Sequence, residues 1–221
     1  MNWTELYNRV VFEVYGNSVP AQGTQNVLQG EYGIIANAHR KIQEDYNYWF
    51  MESTELTTLT DGVRNYPLPA LFKEVVQNGF RMVDTVSGNY CSPISPMQPN
   101  DAFNHFRNAT EEVDYPTHYE IYGGELLLYP TPALTGVVLA AKIYKYLPRP
   151  PAVFDLTYDA LTRNGHNAVI YEAAANICRI QEEYQKMQVF QGELVKELER
   201  LMQMDARMRR AENNTVLYAG L

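Results

Sequence analysis

The sequence predicts an α+β protein, a helical bundle made from both ends of the chain with an antiparallel β module inserted between them. Three observations carry this. Apolar residues near both ends recur at steps of three and four, the period of a helix face. From residue 53 the runs become short, β-branched and aromatic, and are cut by Asp61-Gly62, Asn78-Gly79 and Gly123-Gly124. The stretch Pro148-Arg149-Pro150-Pro151 then forbids regular structure and marks the way out. The resulting division is 1–52 for the N-terminal helices, 53–150 for the β module, 151–211 for the C-terminal helices and 212–221 for an extended tail.

The first helix is expected over residues 2–15, where Leu6, Val10 and Val14 form a stripe continued by Trp3 and Tyr7. Gly16, Pro20 and Gly23 break it. A second helix is expected from about 25 to 51 on the spacing of Leu28, Tyr32, Ile35, Ile42, Tyr46 and Trp49. At ~1.5 Å per residue it would be a rod of roughly 40 Å.

Strands follow in ELTTLT, VRNYPLP, FKEVVQ and FRMVDTV. Residues 91–116 carry four prolines and read as a long irregular connection. In PTHYEIYGGELLLYPTP, residues 116–132, the paired glycines tolerate the positive φ of a tight turn, so this is a hairpin. Tyr119, Ile121, Leu126 and Leu128 are expected in its core, with Tyr122 and Tyr129 facing out. GVVLAAKIYKYLP is the last strand. Helix returns over about 164–184 through Val169, Ala173, Ile177, Ile180 and Tyr184. A final helix over 186–211 uses Met187, Phe190, Leu194, Leu198, Leu201 and Met208, with Asp205 interrupting the seam.

Composition narrows the function. The net charge of −8 argues against a general nucleic-acid binder, which needs surplus Lys and Arg for phosphates. Residues 1–150 carry 10 basic and 16 acidic side chains, so the acidity concentrates there. Seventeen tyrosines suit both strands and subunit contacts. Cys91 and Cys178 lack metal spacing, which makes two free thiols in a reducing compartment the default. No signal peptide or membrane span is expected.

No motif of a metalloprotease, nucleophile elbow, P-loop or paired-cysteine redox site occurs. His39, His105, His118 and His166 have no second ligand at metal spacing. Glu111, Glu112 and Asp114 are the best acidic cluster, and adjacent carboxylates on a loop are far more often a solvated face than a glycosidase pair. No catalytic residue, cofactor or metal is therefore expected.

Two stretches carry a resemblance. Ile35, Asn37, Ala38, Ile42, Trp49, Phe50, Gly62, Tyr66, Leu68 and Pro69 match the opening of tailed-bacteriophage head-to-tail adaptor proteins, also called connector or head-completion proteins. Pro116, Tyr119, Ile121, Gly123, Leu126, Leu128, Pro130 and Pro132 match that family's hairpin. The likeness covers most of residues 25–185. It implies a structural virion protein at the head–tail junction, made in the host cytoplasm, that forms a ring, usually of twelve subunits. Such a ring binds the portal protein and a tail nozzle or tube protein, and extends the channel for double-stranded DNA without binding it specifically.

Within that resemblance Arg207, Arg209, Arg210, Thr215, Val216, Leu217 and Tyr218 are expected at the portal, the last four adding a strand to an exposed edge. Tyr122 and Tyr129 are expected to meet the tail. The alternatives left open are a carbohydrate- or peptide-binding β module on a helical stalk, using the aromatic loop 90–122, and a hydrolase using Glu111, Glu112 or Asp114.

Overall fold

The computed structural model describes residues 1–16, 18, 20, 27–83, 90–97, 113–133, 137–151 and 154–218. The chain folds α+β. Contacts divide it into a helical unit, Met1–Met51 with Tyr146–Leu221, and a β unit, Glu52–Lys145.

The helical unit opens with α1, Trp3–Tyr15. Asn2 caps it by accepting from the Glu5 amide, while the Glu5 carboxylate accepts from the Asn2 amide. Trp3, Leu6, Val10 and Val14 are buried as the stripe predicts.

The expected rod over 25–51 is corrected. Helix α2 spans Ile34–Asp45 only, 12 residues. Gly30 sits at φ 92°, and a Cβ on Gly33 would fall 2.3 Å from the Gln29 carbonyl oxygen, so the chain turns here instead of continuing a helix. At the other end Tyr46 is extended (φ −150°, ψ 154°), and Trp49–Met51 is one 3₁₀ turn. The rings of Tyr46 and Tyr48 pack at 4.9 Å, and those of Tyr48 and Phe50 stack at 5.2 Å. Alternate residues share a side only on extended backbone, and this aromatic cluster ends the helix.

Helix α3, Ala160–Asn164, is capped by Asp159, and α4, His166–Ile180, follows at once. α4 is the centre of the unit: α1, α2, α3 and α5 all pack on it. Its buried Ala168, Ala173, Ala174 and Ala175 let neighbours approach closely around Val169 and Ile177. It ends four residues before the expected 184, because Glu182 at φ 61° turns the chain back; Ile180 and Tyr184, expected inside, are exposed.

Helix α5, Tyr184–Tyr218, has 35 residues, about 52 Å at ~1.5 Å per residue. It runs antiparallel to α4. Leu201 lies against Gly165 at the start of α4, and an Arg200 guanidinium N–H donates to the Asn164 carbonyl at 3.0 Å. The expected extended tail is corrected for residues 212–218, which continue the helix. Glu193 to Ala219 holds neither Gly nor Pro, so nothing in the chain forces a stop.

Among the described residues the β unit contains two four-stranded sheets and one two-stranded sheet. One has the order β1 (Glu52–Thr58), β10 (Val138–Lys145), β3 (Phe72–Val83), β4 (Tyr90–Pro93). The other runs β2 (Asn65–Pro67), β8 (Glu125–Tyr129), β7 (His118–Tyr122), β5 (Ser95–Pro96). Phe80, Met82, Leu139, Ala141 and Ile143 from the first meet Tyr66, Leu126 and Leu128 from the second in one apolar cluster.

Three expectations change in this unit. FKEVVQ and the opening of FRMVDTV, as far as Val83, form the single strand β3, because Asn78-Gly79 is an irregularity within it and not a hairpin turn; residues 84–86 lie outside the described residues. Ala141 pairs with Phe80 and Ile143 with Val75, so residues 76–79 bulge opposite Lys142. The sheets are also not purely antiparallel: β5 pairs with β7, and β6 (Val113–Asp114) with β9 (Thr131–Pro132), in parallel. The segment read as irregular therefore contributes β4, β5 and β6; its residues 98–112 lie outside the described residues.

Candidate functional site

The sequence points to two surfaces, the C-terminal part of α5 in the helical unit and the hairpin in the β unit. On α5 the residue that interrupts the apolar seam becomes its anchor. Asp205 is only 2% exposed. One carboxylate oxygen accepts from the Trp49 amide at 2.6 Å; the other accepts from Arg209 Nε at 2.7 Å and from the Tyr46 hydroxyl at 3.4 Å. A second Arg209 nitrogen donates to the Asn47 carbonyl at 2.9 Å. Burial, then the neighbouring Asp205 carboxylate, push the Tyr46 phenol above its usual pKa. Arg209, expected to meet the portal, is thus engaged within its own chain. Arg207 and Arg210 are exposed on the same helix.

Thr215, Val216, Leu217 and Tyr218 fall on the last turns of α5. Strand addition by these residues is corrected, since their backbone is helical and its amides are already paired along the helix.

The hairpin forms as read. β7 and β8 pair in register from His118↔Tyr129 to Tyr122↔Glu125, and Gly123 and Gly124 turn at φ 61° and 84°. Leu126 and Leu128 are buried and Tyr119 packs against the core, but Ile121 is exposed. Tyr122 stands out at 73% exposure, whereas Tyr129, expected outside, is 6% exposed. The Arg64 guanidinium covers the Tyr129 ring at 4.9 Å, and the Tyr129 hydroxyl donates to Glu120 at 3.1 Å. Burial first, and then the Glu120 carboxylate, raise the Tyr129 pKa.

Tyr66, one of the residues carrying the family likeness, closes the turn before β2. Its hydroxyl accepts from the Thr60 amide and donates to the Val63 carbonyl, both at 3.0 Å, around Gly62 at φ 72°. Ile35, Ala38 and Ile42 are the buried face of α2, and the Asn37 amide donates to the Tyr32 carbonyl.

Besides the Asp205 cluster, sequence reasoning missed a second polar network. His39, on α2 and almost fully buried, brings Nε2 within 2.8 Å of Asp159, the cap of α3. The Gln43 amide nitrogen lies 3.0 Å from His39 Nδ1, and the Gln43 carbonyl accepts from the Leu147 amide at 2.6 Å. Burial would raise the Asp159 pKa, but the His39 ring beside it and two Thr162 hydrogen bonds hold it below the usual carboxylate range. Residues 120 positions apart leave no local spacing to read. The pair joins α2 to α3.

His118 is exposed beside Thr117, and His166 starts α4, its pKa lowered first by burial and then by the chain's amino terminus. His105, Glu111 and Glu112 lie outside the described residues; Asp114 is on β6. Among the described residues no group of three or more His, Cys, Asp or Glu gathers as a metal set. No described helix is long and apolar enough to cross a membrane.

Compared with known protein families, residues 1–216 match the SU10 adaptor protein family, which comprises phage head–tail adaptors. No curated protein matches the chain.

Proposed function

The chain belongs to the SU10 adaptor protein family, and from that premise we propose that it closes a ring of twelve copies joining the capsid portal to the tail and extending the DNA channel. Membership itself makes it a structural head–tail adaptor of a bacteriophage, with portal and tail components as its partners. The family match across residues 1–216 is the observation that carries the reading. A closed ring needs two different faces on every copy, and a rod as long as α5 offers two sides over many turns. A channel that passes DNA must not hold it, and the net charge of −8 opposes phosphate binding.

The exposed Arg207 and Arg210, with the last turns of α5 through Thr215, Val216, Leu217 and Tyr218, reach the portal as a helix. Tyr122 at the hairpin is the tail contact, and Tyr129 serves the packing of the hairpin itself. Electron microscopy of intact particles, with the chain located by a fused tag, tests the reading. Twelvefold density at the junction of capsid and tail is expected; particles that lack the chain there refute it.

A further inference from the structure

We infer that neighbouring copies join through a groove between α2 and the end of α4 on one copy and a ridge on α5 of the next. The inference rests on the ring reading and gives it a specific contact.

The groove has a mainly apolar part of about 340 Å³, lined by Val27, Leu28, Ile34, Ile177 and Ile180 together with Tyr15 and Gln181, whose polar ends bond each other at 2.9 Å. A polar part of about 350 Å³ adjoins it through Ile34 and Ile180 and holds Lys41, Glu172, Asn176 and Arg179. Its lip is unusually apolar: Ile180 is 64% and Val27 56% exposed. In the polar part the buried Glu172 accepts from Asn176 at 2.9 Å and pairs with Lys41 at 3.2 Å. Those two charges cancel. Arg179 has no side-chain partner among the described residues, so the groove presents one uncompensated cation beside an apolar lip.

The ridge is its complement. Val195, Glu199 and Met202 follow one another at steps of four and three on α5, and so share a face. Val195 and Met202 are both exposed. Other carboxylates near them are paired within the helix, Glu193 with Lys196 and Glu197 with Arg200. Glu199 has no such partner among the described residues. An anion between two exposed apolar side chains thus matches a cation beside two others.

One copy cannot make this contact with itself. Arg179 is at the end of α4, while Glu199 adjoins Arg200 and Leu201, which pack at its start. The 15 residues of α4 separate them by about 22 Å along the helix. Two different faces on one copy, each completed by the other face of the next, make a heterologous contact, the kind that closes rings.

Exchange of the two charges tests the inference in assembled phage particles. Arg179→Glu and Glu199→Arg should each lower the amount of the chain per particle about tenfold, and the double variant should restore it. In a Cys91→Ser background, Ile180→Cys together with Val195→Cys should give a ladder of oxidised multimers, and either cysteine alone should give none. Single variants without effect, a double variant that does not recover, or no ladder from particles containing the chain would overturn the interface and leave the adaptor reading standing. Loss with Arg179→Glu that Glu199→Arg does not rescue would assign the groove to another virion protein. Absence of the unaltered chain from particles would instead refute the adaptor reading.

Discussion

Replacing Asp205 by alanine removes the anchor between α5 and the aromatic segment 46–50. The Trp49 amide, 2.6 Å from the carboxylate, loses its acceptor, and Arg209 loses its ion partner at 2.7 Å. Leaving a buried donor unpaired costs about 1–3 kcal/mol. Breaking a buried ion pair by deleting one member costs about 3–5 kcal/mol. The Arg209 side chain is 32% exposed and keeps the Asn47 carbonyl, so water and that bond recover part of its share. The net loss expected is about 3–4 kcal/mol. At ~2–4 °C per kcal/mol for a chain of this size, the helical unit should melt about 10 °C lower. The assay is favourable, because both tryptophans, Trp3 and Trp49, lie in the helical unit and their fluorescence follows it alone. Asp205→Asn keeps an acceptor for Trp49 and should cost about half as much. The double variant Asp205→Ala, Arg209→Ala should cost less than the two singles added, as coupled groups do. A loss below about 1 kcal/mol for Asp205→Ala, or simple additivity in the cycle, would refute the argument that this polar cluster holds α5 in place.

The β unit has its own probe in Gly79→Ala, whose Cβ would lie 2.2 Å from the Lys142 carbonyl oxygen; a loss of about 3 kcal/mol or more is expected in denaturant titrations followed by far-ultraviolet circular dichroism. Asp159 has its pKa lowered in the folded chain, so it adds stability above its unfolded value of 3.8, and this is lost as pH falls through the lower, folded value. Asp159→Asn should therefore flatten the acid side of the stability profile below about pH 4, and an unchanged profile would contradict the His39 contact. Tyr122→Asp changes a side chain that is 73% exposed, so the melting temperature should hold while tail attachment falls; particles with normal tails would remove Tyr122 from the tail contact. Deleting residues 212–221 should abolish co-purification with the portal while the melting temperature stays within a few degrees, and retained binding would move the portal contact elsewhere.

What the sequence disclosed depended on how far apart the cooperating residues lie. Trp3, Leu6, Val10 and Val14 announce α1 because their burial repeats every turn, and Gly123-Gly124 announces the hairpin because its turn needs positive φ at two adjacent positions. Periodicity alone misled where one local constraint outweighed it. Tyr46 and Trp49 keep helical spacing with Ile42, yet the packing of Tyr46, Tyr48 and Phe50 favours an extended backbone, and Gly33 stops the same pattern at the other end. Asn78-Gly79 carries turn chemistry, but Ala141 and Ile143 on β10 pair with Phe80 and Val75 on either side of it, so two runs in the sequence make one strand. Tyr129 reads as outward by alternation until Arg64, 65 positions earlier, covers its ring. The same reason hides the two polar clusters. Asp205 stands out in the seam as an interruption, and only its meeting with Trp49, more than 150 residues away, turns a defect into an anchor. His39 on an apolar helix face gives no hint of Asp159. For the interface, Arg179 and Glu199 are equally mute as letters; they become complementary once the turn at Glu182 sets α5 against α4 and leaves each charge on a face its own copy cannot satisfy.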